Sequence, residues 1–139
     1  MGPESRSKKL KRLVNVQRQL EKMAESDLAA TARQRREVAE SMEVVIEAIG
    51  AMDGVHRLFA QNYAERFGRL TLRDQQLTGV QRMQEIRVLR ERTKGDRLEG
   101  HMKEARMDED RLQADESIYD LIDMQNMLAT PASSKLEEP

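Results

Sequence analysis

The stretch LAATARQRREVAESMEVVIEAIGAMDGVHRLFAQNY, residues 28–63, decides the fold. Within it Leu28, Thr31, Arg35, Val38, Met42, Val45, Ile49, Met52, His56, Phe59 and Tyr63 follow one another at alternating steps of three and four. Eight of these eleven are apolar, so one face of an α-helix carries a regular apolar stripe. That is the a/d seam of a coiled coil. Upstream, Leu10, Leu13 and Leu20 open the same arm. The step Leu20, Ala24, Leu28 uses two fours in succession and reads as a stutter, which locally unwinds a supercoil.

Working outward, proline occurs only at Pro3, Pro131 and Pro139, so more than a hundred consecutive residues avoid the strongest helix breaker. A second arm carries a weaker seam: Leu77, Val80, Gln84, Val88 and Glu91, then Leu98, Met102, Ala105, Leu112, Tyr119, Ile122 and Gln125. Gly95 and Gly100 interrupt it. A helix-interior glycine costs about 0.5–1 kcal/mol relative to alanine, so fraying or a bend is expected near 95–100.

Composition agrees with a rod and not with a globule. Of 139 residues, 35% are charged and 3% aromatic, with two Phe, two Tyr and no Trp to anchor a compact core. There is no Cys, which excludes disulfides and thiolate chemistry. No apolar run approaches the roughly 20 residues that span a bilayer; Val44-Val45-Ile46 ends at Glu47. The charged N-terminus lacks the apolar stretch of a signal peptide. Gly2 is followed by Pro3, and Arg6 stands where a myristoylation signal wants Ser or Thr.

These features predict an all-α fold, two long helices in an antiparallel coiled-coil hairpin over residues 8–129. A flexible N-terminus, 1–7, precedes it and a disordered tail, 130–139, follows. The turn is expected near 67–71. Gly68 suits the residue after a helix end, and Thr71 with Asp74 resembles a capping pair that restarts a helix. Gly50 and Gly54 are rival break points, ranked lower because the stripe continues through Met52 and His56. Folding at Gly68 halves the proline-free span into arms of about 60 residues, each roughly 90 Å long. It also sets residues 8–23, with six bases and one acid, opposite residues 114–129, with four acids and no base.

No catalytic set emerges. Gly95 and Gly100 are followed by His101-Met102, not by the Lys-Ser or Lys-Thr of a phosphate loop. His101 and Glu104 lie three apart but lack a second histidine for a metal. His56 has no carboxylate and nucleophile beside it. Asp108-Glu109-Asp110 lacks calcium-loop spacing. Carboxylates on an open rod have no reason to shift their pKa values into a catalytic range. The sequence therefore predicts no enzyme, no cofactor and no metal site. Nine Met residues, among them Met42, Met52 and Met102 on or beside the seams, read first as gap-fillers and second as a soft partner surface. Residues 66–97 hold nine bases and four acids. With no aromatic platform interleaved, a solvated helical face is expected before a nucleic-acid site.

The layout resembles the small coiled-coil stalk proteins of type III export ATPases, the flagellar FliJ and injectisome YscO-type proteins. The match rests on length and architecture across nearly the whole chain and on two segments. The opening Lys9-Leu10-Lys11-Arg12-Leu13-Val14-Asn15-Val16-Gln17-Arg18-Gln19-Leu20-Glu21 looks like their basic, leucine-spaced start. The run Arg90-Glu91-Arg92-Thr93-Lys94, Arg97-Leu98-Glu99, Lys103-Glu104-Ala105-Arg106 and Asp108-Glu109-Asp110 looks like their charged second helix. Gly95 and Gly100 depart from that pattern. The resemblance implies a cytoplasmic protein, peripheral at the inner membrane through its partners. It would act as a central stalk between a hexameric export ATPase and the membrane export gate, and would escort export chaperones.

Two surfaces are expected to carry such partners. One is the open end of the hairpin, with Lys8, Lys11, Arg12, Arg18 and Asp120 or Asp123. The other is the tip, with Phe67, Leu70, Leu72, Leu77 and Val80 among arginines such as Arg73. Two rival readings are a generic coiled-coil adaptor or dimerisation module outside secretion, and a basic-tip nucleic-acid binder.

Overall fold

The computed structural model describes residues 4–51 and 58–136, and side chains as far as Ala129. Two helices account for nearly all of them: α1, Arg6–Gly50, of 45 residues, and α2, Ala60–Leu136, of 77 residues. No strand occurs among the described residues. The sequence supports both helices locally. Ser5 caps α1: its carbonyl accepts the Lys9 amide at 3.2 Å and its hydroxyl accepts the Lys8 amide at 3.4 Å. At the other end the Ala51 amide still donates to the Glu47 carbonyl at 3.0 Å.

The helices are antiparallel partners. Cross-helix hydrogen bonds and ion pairs join Ser7 to Glu109, Gln17 to Glu91, Asp27 to Arg87 and Arg35 to Asp74. Every such pair is centred on a point between the end of α1 and the start of α2, so α1 and α2 themselves are the two arms.

That finding moves the turn expected at 67–71. Phe67, Gly68, Arg69 and Leu70 lie inside α2. No glycine among the described residues has the left-handed φ of a helix-ending position. Thr71 does not cap a helix start; its hydroxyl donates back to the Phe67 carbonyl at 2.9 Å, the habit of a threonine in mid-helix. The physical reason is the seam. Tyr63, Phe67 and Leu70 continue the same stripe as Asp74 and Leu77, and breaking the helix at Gly68 would forfeit that contact to relieve a glycine cost of about 1 kcal/mol. Of the rival break points, Gly50 ends α1, while Gly54, Met52 and His56 lie outside the described residues.

The chain divides into two compact units, Asn15–Asp96 and Met1–Val14 with Arg97–Pro139. In the first, α1 turns Gln17, Glu21, Ala24, Leu28, Thr31, Arg35, Val38, Met42 and Val45 inward. Facing them are Tyr63, Phe67, Leu70, Asp74, Leu77, Gln81, Gln84, Val88, Glu91 and Gly95 of α2. Both series alternate three and four without a fault, so the expected stutter is absent. Leu20, which suggested it, is exposed, and Glu21 takes the seam position. Leu13, Ile49, Phe59 and Val80, also expected on the seam, are exposed as well. In the second unit the buried and half-buried positions are Ser7, Leu10 and Val14 of α1 and Leu98, Met102, Ala105 and Glu109 of α2, joined by the Ser7–Glu109 bonds.

The core is thin. Its buried apolar members are Val14, Ala24, Val45, Leu77, Val88 and Ala105, each of the larger ones worth about 1.5–3 kcal/mol of burial. Three further expectations change. Arg6 and Ser7 belong to α1 and Ser7 is buried, so residues 1–7 are not uniformly loose. Gly95 and Gly100 do not break α2. The helix also passes 130 and Pro131 to end at Leu136, since a proline inside a long helix forfeits one backbone bond among many.

Candidate partner-binding surfaces

Three polar layers in the seam fix which residues are left facing outward. At the start of α1 the Ser7 amide donates to Glu109 Oε1 at 3.0 Å and the Ser7 hydroxyl to Oε2 at 2.5 Å. An α2 carboxylate thus satisfies an orphan amide of α1's first turn, where a negative charge also meets the positive end of the helix dipole. The two Ser7 bonds, side chain first, hold the Glu109 carboxyl below its ordinary range. In the next layer the buried Gln17 amide donates to the Glu91 carbonyl at 3.1 Å and to the Glu91 carboxylate. That second bond is the main cause of a lowered Glu91 pKa. Further along, Arg35 reaches Asp74 Oδ1 at 3.3 Å and the Gln81 side-chain carbonyl at 3.0 Å. One polar atom in this seam, Gln84 Oε1, is buried with no hydrogen-bond partner.

Beside these layers runs a charge network. Glu21 accepts from Arg18 at 2.8 Å and from Arg92 at 3.2 Å, and Arg92 also reaches Glu25 at 3.3 Å. The Arg18 bond, ahead of the others, lowers the Glu21 pKa, and the bond to Glu21 raises that of Arg92. Arg18 spans to Asp96 at 2.9 Å over Gly95, where an added Cβ would lie 2.7 Å from the guanidinium. Gly95 is therefore a close-approach position and not a breaker.

The expected open-end site comes apart on this register. Lys8, Lys11 and Arg12 are exposed, and Arg12 pairs with Glu4. Arg18 is half-buried in the network just described. Asp120 and Asp123 are exposed, but α1 begins opposite Glu109, so Asp120 lies about 16 Å further along α2. Residues 8–23 face the stretch near 91–109, not 114–129. The expected tip site also divides. Leu77 is buried, and Phe67 and Leu70 are half-buried in the seam, so they pack the hairpin and are not presented to a partner. Leu72, Arg73 and Val80 do face outward.

What the sequence reading missed is the bare length of α2. Every residue from Asp110 to Ala129 is exposed, including Leu112, Ile118, Tyr119, Leu121, Ile122, Met124, Met127 and Leu128. Leu112, Tyr119 and Ile122, assigned to the second seam, belong here. No family model, no curated protein and no solved structure matches this chain. The surfaces must then be weighed on their own chemistry. No helix among the described residues is long and apolar enough to cross a membrane, so this apolar face is not a span. Asp115, Glu116, Asp120 and Asp123 share its stretch, which makes it acidic as well as oily.

Two other exposed apolar stripes accompany it. Leu13, Val16, Leu20 and Met23 line one face of α1 beside the basic residues of 8–23. On α2, Val80, Met83 and Ile86 with Gln84, Arg87 and Arg90 form an open groove. Arg87 and Arg92 of the basic 66–97 stretch are engaged by Asp27, Glu21 and Glu25, which makes part of it a structural charge face. His101 Nδ1 lies 3.9 Å from Glu104 on exposed helix, and no group of three or more His, Cys, Asp or Glu among the described residues is placed to hold a metal ion.

Proposed function

We propose that this chain is a non-enzymatic, protein-binding coiled coil that serves as the stalk of a type III export ATPase. The observation that carries the reading is the Ser7–Glu109 lock, which leaves the basic start of α1 beside a bare, acidic and apolar length of α2. A hairpin end of that kind presents two chemistries to one ring of subunits. Lys8, Lys11 and Arg12 supply charge, while Ile118, Leu121 and Ile122 supply oil for a hydrophobic groove. The work is mechanical: unequal contacts with the ring bias its subunits among conformations, and ATP chemistry stays with the partner. The outward Leu72, Arg73 and Val80 offer a second contact, for the export gate or an escorted chaperone. Such a protein works on the cytoplasmic side of the inner membrane and reaches the membrane only through its partners.

The test is reconstitution with a purified hexameric export ATPase. The chain is expected to raise its turnover and to bind it, and the triple change Lys8→Glu, Lys11→Glu, Arg12→Glu is expected to abolish both. Unchanged binding by the triple variant removes this reading of the open end. Absence of any binding by the native chain removes the export assignment and leaves a generic coiled-coil adaptor.

A further inference from the structure

We infer that the bare α2 face around Ile118, Leu121 and Leu128 docks on the α1 stripe Leu13–Met23 of a second copy of this chain. Three observations support it. The first is spacing. Ile118, Leu121, Gln125 and Leu128 step by three, four and three, as do Leu13, Val16, Leu20 and Met23. Two such stripes seat side by side as an a/d seam in which only Gln125, opposite Leu20, is polar.

The second is exposure. Leu121 is 61% exposed and Leu128 76%, against 59% for Val16 and 57% for Met23. Each stripe lacks an apolar cover among the described residues, and an uncovered oily face on a helix this long marks an interaction site. The third is charge. Residues 114–129 hold four acids and no base, and residues 8–23 hold six bases and one acid. Ser7 pairs with Glu109, so the start of α1 lies beside residues before 110 and not beside 114–129. Pairing two overhangs with each other would instead set acid against acid, and pairing two α1 stripes would set base against base.

Symmetry closes the arrangement. A two-fold axis pairs each overhang with the α1 stripe of the other copy. Every chain gives one acidic and one basic stripe, both contacts form twice, and no open end is left to make a filament. In that register Ile118 meets Leu13, and Leu121 meets Val16. This pairing goes beyond the export reading and does not depend on it; it covers the same end of the hairpin, so a partner there competes with the second copy.

Light scattering after size exclusion is expected to give twice the 16.0 kDa chain mass at low salt and a shift towards one chain near about 1 M salt, where screening shortens to about 3 Å. Leu121→Glu, an exposed change that leaves the seam intact, is expected to give one chain at all salts. Since the protein has no cysteine, introduced thiols report geometry directly. Mixed Val16→Cys and Leu121→Cys chains are expected to form a disulfide between unlike chains. A native chain that stays monomeric at low salt overturns the inference, as does a dimer untouched by Leu121→Glu. So does a Leu121→Cys chain that cross-links mainly to itself, because that places overhang on overhang. ATPase binding is a separate readout and fails or succeeds independently.

Discussion

Replacing Gly68 by alanine tests where this chain reverses. In the structure Gly68 is an exposed residue inside α2, and a Cβ built on it meets nothing within 4 Å. Alanine there removes the backbone freedom that glycine has in the unfolded chain and adds no clash. The expected gain is about 0.8–1.0 kcal/mol, the helix-interior difference between the two residues. Had the turn stood at Gly68 in a left-handed conformation, the same change would cost about 1 kcal/mol or more. The two arrangements differ in sign. Urea unfolding followed by circular dichroism reads the difference. With a slope of about 1–3 kcal/mol per molar, the midpoint should rise by about 0.3–1 M. Gly100→Ala is the internal standard, since Gly100 is also exposed in α2 with open space around it. If Gly68→Ala lowers the midpoint while Gly100→Ala raises it, the register deduced from the cross-helix pairs is wrong.

Gly95→Ala should lack that gain, because its Cβ would stand 2.7 Å from the Arg18 guanidinium and displace it from Asp96; adding Arg18→Ala should restore the midpoint toward that of Gly100→Ala, measured in the same urea series. Leu77→Ala should cost about 2–3 kcal/mol by chemical unfolding, at the low end for leucine because a two-helix seam collapses readily, while the outward Leu72→Ala stays within about 0.5 kcal/mol. Glu109, Glu91 and Glu21 bind protons less tightly folded than unfolded, so their stabilisation is complete above the unfolded value of 4.5 and is lost as the pH falls through their lowered values. Thermal unfolding between pH 6 and about 3 should show a falling midpoint on the acid side, and Ser7→Ala should flatten part of that fall by releasing Glu109.

How much of this was legible beforehand depended on where the seam is apolar. From Leu28 to Val45 four of the six stripe positions are apolar, enough to carry the spacing through Thr31 and Arg35, and sequence spacing and structure agree residue by residue. Where polar residues take the seam the spacing misleads. Around Gln17 and Glu21 apolarity points to Leu13 and Leu20, which are exposed, and only a stutter joins them to Leu28. The turn was misplaced for a related reason. Equal arms are an economical assumption for a proline-free span, and Gly68 sits at its middle, but nothing physical requires equal arms. With the turn moved, the basic and acidic segments no longer faced each other inside the chain, and the open-end site assembled from both dissolved. Glu91 was legible from its spacing behind Val88, but its partner Gln17 and the more distant Glu109 carried no sequence signal of their own, since a seam position is recognised by apolarity.

Those polar layers explain where along α2 the overhang begins. An oily seam alone tolerates a slip of one heptad, since one apolar step replaces another. Here a slip in one direction would set Ser7 beside Met102 and Gln17 beside Gln84; a slip in the other would set them beside Glu116 and Leu98. Each leaves at least one buried polar group without the partner it has now, and a buried donor or acceptor so stranded costs about 1–3 kcal/mol. For a core this thin, that penalty is a large share of the whole stability. Register is therefore set by Ser7–Glu109 and Gln17–Glu91 more than by the leucines, and the same two contacts determine that α2 emerges bare after Glu109. The bare face is in this sense a consequence of polar residues that lie in the seam and not on that face. Exchanging Gln17 for leucine should leave the hairpin folded while loosening its register. The readout is a single-cysteine pair placed across the seam, Leu10→Cys with Ala105→Cys, which cross-links efficiently in one register and poorly in a mixture.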